Sequence, residues 1–221
     1  MPMHCSEHMA ASLDGPVSRH LNRRISVPVA RALAGTPLTP DHVSLIAFAM
    51  ALGSLALLAA GRNIEGGILI QASSVADGVD GDLARAKGMA TRFGGLFDSV
   101  LDRYADAAII GGMAAWAYGR EDWPQPLLVG LVAVVGALMV SYSRARLERE
   151  GGVEAAAGLR GFASRDVRLL MLAAGAVAGQ AYWTLVVVAA LSYATVAWRL
   201  WAFGRRPSPV TGGSGTQETV V

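Results

Sequence analysis

Residues 66–117 read GGILIQASSVADGVDGDLARAKGMATRFGGLFDSVLDRYADAAIIGGMAAWA. An apolar run at each end encloses a polar middle that carries Asp77, Asp80, Asp82, Asp98, Asp102 and Asp106. A membrane-spanning helix needs roughly 20 mostly apolar residues. The stretch therefore reads as two neighbouring spans, one from about Gly66 and one over about 94–117. An ionised Asp at a bilayer centre costs at least ~2.5–3.5 kcal/mol on insertion scales. Six of them in adjacent segments are too costly to be incidental, so they face a polar cavity or hold cations.

Outward from this stretch, the 221-residue chain is 53% hydrophobic and 16% charged, with a net charge of +2. Ordinary soluble domains carry roughly 25% charged residues. The shortage of charge argues against disorder, a nucleic-acid-binding module or a typical soluble enzyme. The expected fold is all-α and polytopic, with six transmembrane helices. Four more spans are read at about 41–60, 126–145, 166–182 and 183–203. Thr39 is the expected N-cap of the first, with Pro40 in its first turn. The span at 126–145 continues into a polar helix, SRARLERE.

Residues 1–14 read as a flexible N-terminus, lacking the apolar centre of a cleavable signal peptide. Over 15–35, Val17, Leu21, Ile25, Val29 and Leu33 recur every four positions among arginines. This is the pattern of an amphipathic interfacial helix, which Pro28 is expected to kink or restart. Residues 36–203 form the six-helix domain, and 204–221 read as a disordered tail. Cys5 is the single cysteine, so there is no internal disulfide or Cys-rich zinc site, and the four histidines all precede Val43. His4, Cys5 and His8 are a minor candidate metal cluster. Sixteen of the nineteen Lys and Arg residues fall on one side of the expected topology. The positive-inside rule then places both termini, the 2–3 and 4–5 loops and the active site on the cytoplasmic side of the inner membrane.

On an ideal helix Asp77, Asp80, Gly81 and Ala84 fall within about 100° of arc. Asp98 and Asp102 share a face of the next helix with Gly94. Four converging carboxylates with no cation among them would hold protons or bind hard divalent ions such as Mg²⁺ or Mn²⁺. Gly81 and Gly94 leave backbone open to close approach, and Arg85 offers a fork for phosphate. Two ions, carboxylate ligands and an arginine suggest phosphoryl transfer.

The run Asp77-x2-Asp80-Gly81-x2-Ala84-Arg85-x8-Gly94-x3-Asp98-x3-Asp102 resembles the signature of the CDP-alcohol phosphotransferase family at all eight fixed positions. Chance agreement along the chain has odds of about 10⁻⁸ from average residue usage. The resemblance implies six spans, a homodimer, and transfer of a phosphoryl-alcohol group from a CDP-alcohol to an acceptor hydroxyl with release of CMP. It implies that Asp77, Asp80 and Asp98 bind a pair of Mg²⁺ or Mn²⁺ ions. Asp102 completes that site and acts as general base, while Gly81, Ala84, Arg85 and Gly94 line the CDP pocket. Where many relatives have Pro-Asn and then Thr at the start of the first span, this chain has Pro40-Asp41 and Ser44.

Arg144 and Arg165 occupy positions where relatives with phosphorylated acceptors hold the phosphate. Arg146, Arg160 and Arg168 are weaker candidates. Asp82 and Asp106 lie outside the signature, and Asp106 is expected to support Asp102 or pair with Arg103. The stretches 14–26, 98–106 and 164–168 further resemble the di-myo-inositol phosphate phosphate synthase branch. That branch joins CDP-inositol to inositol 1-phosphate and is often fused to a cytidylyltransferase domain. Within the family the alternative is a phospholipid synthase, using CDP-diacylglycerol with inositol phosphate or glycerol phosphate. A cation-coupled transporter is the remote alternative, disfavoured because no internal repeat is evident.

Overall fold

The computed structural model describes residues 22–150 and 164–205. Among them are seven helices and no strand. These are α1 (Arg23–Leu33), α2 (Pro40–Ala59), α3 (Asn63–Lys87), α4 (Arg92–Arg120), α5 (Pro126–Arg149), α6 (Arg165–Val177) and α7 (Ala181–Gly204).

Local chemistry sets the helix ends. Thr39 caps α2 as expected: its hydroxyl accepts from His42 N at 3.4 Å, while His42 Nδ1 accepts from Thr39 N at 3.2 Å. This reciprocal arrangement satisfies two backbone donors that the first turn leaves unpaired. Gly88 closes α3 in the left-handed conformation at φ +65°, a region that suits glycine. Three residues on, Thr91 caps α4 by accepting from Gly94 N at 2.9 Å. The turn between the two acid-bearing helices is therefore only residues 88–91, which forces α3 and α4 to be neighbours.

Small residues let the helices approach closely. A Cβ at Gly112 of α4 would lie 2.8 Å from Leu55 Cα on α2, and one at Gly67 of α3 would lie 2.8 Å from the Ala173 carbonyl on α6. The main core gathers Leu58, Ile70, Ile109, Ile110, Met113, Leu169, Leu172 and Leu185. A second, smaller core joins Ala30, Val43, Val79 and Leu83. At the other end of the bundle, the Glu121 carboxylate accepts from Ala181 N at 2.8 Å and Tyr182 N at 3.0 Å. It thus caps the start of α7, as a negative group at a helix N-terminus should.

Three helices, α2, α5 and α7, are long and apolar enough to cross a membrane. Their outer faces remain apolar: Leu127, Leu128 and Leu131 on α5 and Leu200 on α7 are each more than half exposed. Helices α3 and α4 are longer, roughly 37 and 43 Å at 1.5 Å per residue, but carry the acids. The fifth expected span is shorter than the sequence suggests. Among the described residues its helix covers 13 residues, and it stops at Val177 rather than 182. Gly179, at φ +65°, turns the chain there, and Gln180 N bonds back to Gly175 O at 2.9 Å.

Helix α1 is a single helix through Pro28. Pro28, the sixth of its eleven residues, lacks the backbone donor that would meet the carbonyl of Arg24, an exposed residue. Its partners on α3 advance in step with its own numbering. Asn22 Nδ2 donates to Ser74 Oγ at 3.1 Å and Ser26 Oγ to Asp82 Oδ2 at 2.7 Å. Beyond α1, Lys87 Nζ donates to Thr36 O at 2.6 Å and Leu38 O at 2.7 Å. So α1 runs alongside α3 in the same direction. Its small face, Ser26 and Ala30, is buried, and its apolar residues Ile25 and Val29 point outward. The readings for residues 1–21, 151–163 and 206–221 lie outside the described residues. These include the His4–Cys5–His8 cluster, Arg160 and the C-terminal tail.

Candidate active site

The 88–91 turn sets the C-terminal part of α3 beside the N-terminal part of α4. Asp77 from α3 meets Asp98 and Asp102 from α4, with one carboxylate oxygen from each within 4.8 Å of the others. They line a cleft with Ser44, Ala47 and Phe48 of α2, Ser73, Leu101, Ala105 and Arg165. Asp80, one turn on from Asp77, is buried beside this group rather than within it. Its Oδ2 accepts from Ser44 Oγ at 2.5 Å. Ser44 thus supplies a hydroxyl to a signature carboxylate.

The cluster is not free of cations, contrary to the sequence expectation. Arg165, the first residue of α6, reaches into it. Its Nη1 lies 2.5 Å from Asp77 Oδ2 and 3.0 Å from Asp102 Oδ1, and its Nε lies 3.4 Å from Asp106 Oδ1. Three carboxylates gathered within a few ångströms repel one another, and one guanidinium offsets part of that repulsion.

Asp106 does not pair with Arg103. It is buried one turn beyond Asp102 and takes Arg168 of α6 as its partner. Arg103, half-exposed, instead donates to Ser99 O at 2.5 Å and lies 3.6 Å from Asp102. The buried carboxylate takes the buried arginine because neither can be left unpaired away from water. Spacing puts Asp98, Asp102 and Asp106 on one face of α4 and Arg165 and Arg168 three apart on α6, but it does not say that these two faces meet.

The expected CDP-pocket residues lie nearer the α3–α4 turn. The Arg85 guanidinium lies near Gly81, where an added Cβ would be 3.6 Å from Nη1. Its Nη2 also donates to Asp82 Oδ1 at 2.6 Å, so Asp82, anchored by Ser26, orients it. Ala84 is half-buried. A Cβ at Gly94 would lie 3.1 Å from the Thr91 hydroxyl and 3.5 Å from Asp41 Oδ1. Arg144 is not drawn into the carboxylate group. It pairs along its own helix with Glu148 at 2.9 Å, as Arg146 does with Glu150 at 3.0 Å.

The donor set suits a hard divalent ion: it is all carboxylate oxygen, converging from two helices, with no thiolate or imidazole among the lining residues. Among the described residues seven helices set this carboxylate group beside an arginine, Arg165. A family profile described as CDP-alcohol phosphatidyltransferase matches residues 37–203. The chain belongs to this family and is by that membership an enzyme of the transferase class.

The chain is similar to several named synthases. It is 46% identical over 196 residues to the bifunctional IPC transferase and DIPP synthase of Rubrobacter xylanophilus, covering 89% of this chain and 44% of that protein. The chain thus spans less than half the length of that relative. It is 38% identical to the archaetidylinositol phosphate synthase of Methanothermobacter thermautotrophicus, covering 82% of this chain and 90% of that one. Among solved structures it resembles the phosphatidylinositol phosphate synthase of Mycobacterium tuberculosis, at 29% identity. The form with CDP-DAG bound gives a TM-score of 0.68 over 85% of this chain and 97% of that one. The form with manganese and citrate gives 0.69 over 84% and 92%.

Proposed function

We propose that the chain transfers a phosphoryl-alcohol group from CDP-inositol to the hydroxyl of inositol 1-phosphate, giving di-myo-inositol phosphate phosphate and CMP. The observation that carries this reading is the convergence of Asp77, Asp98 and Asp102 within 4.8 Å, at signature positions, with Arg165 on the same carboxylates.

In this reading Asp77, Asp80, Asp98 and Asp102 hold a pair of Mg²⁺ or Mn²⁺ ions. Ions held there would neutralise charge on the diphosphate and on the oxygens that gain charge in the transfer. Gly81, Ala84 and Gly94 give the CDP moiety room to lie against backbone. Arg85 directs its fork at the diphosphate. Asp102 takes the proton from the acceptor hydroxyl as its oxygen bonds to the phosphorus that carries the alcohol. The bond from that phosphorus to the CMP oxygen breaks, and CMP leaves with the electron pair. Arg165 binds the acceptor's phosphate, with Arg144 a second contact at the mouth.

The finer topology belongs to the same proposal. The six expected spans cross or enter the inner membrane, with both termini and the active site cytoplasmic. The outward Ile25 and Val29 of α1, 49% and 39% exposed, meet lipid at the interface. The working unit is a homodimer, as the family resemblance implies. A second reading is supported by the likeness to a synthase solved with CDP-DAG bound: a phospholipid synthase using CDP-diacylglycerol.

Purified protein assayed for CMP release across CDP-inositol, CDP-diacylglycerol and CDP-glycerol, each with free and phosphorylated acceptors, tests both. Release with CDP-inositol and inositol 1-phosphate supports the first reading, and release only with CDP-diacylglycerol supports the second. No release in any combination removes both.

A further inference from the structure

Asp106 lies outside the signature, yet its side chain is only 4% exposed, and that of its partner Arg168 only 3%. The pair ties α4 to α6. Asp106 Oδ2 accepts from Arg168 Nη2. The other oxygen, Oδ1, faces Arg165 Nε at 3.4 Å. Both of these facing atoms are buried, and neither has a hydrogen-bond partner. At its opposite edge Arg165 Nη1 contacts Asp77 and Asp102. One guanidinium is therefore stretched between two anchors, the signature carboxylates on one edge and a fixed buried carboxylate on the other.

Buried polar atoms without partners are uncommon, because each forfeits its hydration. Here the two unpaired atoms point at each other. A small shift of the guanidinium away from Asp77 and Asp102 would close the Nε–Oδ1 hydrogen bond. The same shift would turn the Nη edge toward an incoming anion, because the planar fork can serve one partner on each edge.

We propose that Asp106, fixed by Arg168, is a positioning residue for the acceptor step: it holds Arg165 by the Nε edge and so presents the Nη edge to the acceptor's phosphate beside Asp102. The inference rests on Arg165 binding that phosphate, as proposed above.

The test is steady-state CMP release with CDP-inositol and inositol 1-phosphate for D106N, R165Q and D106N/R165Q, with thermal midpoints measured alongside. D106N leaves Arg168 without a counter-charge, so D106N/R168Q, which removes both charges together, is compared with it. D106N and D106N/R168Q should raise the acceptor KM between about tenfold and about 100-fold, the upper figure being the cost of misplacing a group by about an ångström. The donor KM should not move. In the R165Q background D106N should add nothing, since the group it positions is already gone.

An equal rise in both KM values would overturn the inference, as would an undiminished D106N effect in the R165Q background. Either result would make Asp106 a support of the bundle alone. If R165Q leaves the acceptor KM unchanged, the acceptor role of Arg165 falls and the inference with it. If R165Q acts as expected and D106N does not, only the inference falls.

Discussion

Asp102 stands four residues from Asp98 and four from Asp106, so one face of α4 carries all three carboxylates. Of the three, only Asp102 both lines the cleft and shares the Arg165 Nη1 atom with Asp77, and it is the proposed general base. Asp102→Asn keeps the shape and removes the basic oxygen. Turnover should fall about 10²–10⁴-fold, the range that general acid–base groups contribute, while binding of CDP-inositol stays measurable by calorimetry. Unchanged turnover would remove the base assignment. Arg144 and Arg165 looked alike as cations near the ends of expected spans, but they differ in place. Arg144→Gln, losing an exposed pair with Glu148, should change the acceptor KM far less than Arg165→Gln does. The four signature aspartates could be read from spacing alone. The partner of Asp106 could not, because Arg168 lies 62 residues away and helical periodicity says nothing about which helix will pack opposite.

At the level of elements, helix starts were more legible than helix ends. Thr39-Pro40 announces α2 through local hydrogen bonds that need no tertiary partner. The end of α6 was missed because residues 166–203 form an almost unbroken apolar run, and only Gly179, in the left-handed conformation, divides it. Gly67 of α3 and the Ala173 carbonyl of α6 fit closely, which holds α6 against α3 up to that turn. The α2–α4 contact gives a sharper test. Gly112→Val would drive a side chain into the Leu55 backbone, 2.8 Å from the new Cβ. Overpacking of this kind typically destabilises by about 1–3 kcal/mol, read as a lower thermal midpoint in detergent. Gly119→Ala, with nothing within 4 Å of its Cβ, should leave the midpoint unchanged or raise it slightly.

For the whole molecule, activity should depend on divalent ions. Chelation with EDTA should abolish CMP release, and Mn²⁺ or Mg²⁺ should restore it, because the carboxylate group is built from hard oxygen donors. Orientation can be checked by labelling. In a Cys5→Ser background, a cysteine replacing Met89 in the α3–α4 turn should react with an impermeant maleimide only from the cytoplasmic side. One replacing Asp122, before α5, should react only from the other side. Reaction of both from one side would refute the topology. The linear order of residues was enough to define an all-helical, apolar chain with acids gathered on two adjacent helices, because composition and helical periodicity are local properties. Family membership followed from the same spacing. Packing alone decided that Arg165 joins the carboxylates, that Asp106 is locked to Arg168, and that α1 lies along α3. Those outcomes depend on helix register and crossing. Such geometry is set by how small residues and side-chain shapes fit between helices, and it joins positions as far apart as Asp77 and Arg165, 88 residues along the chain.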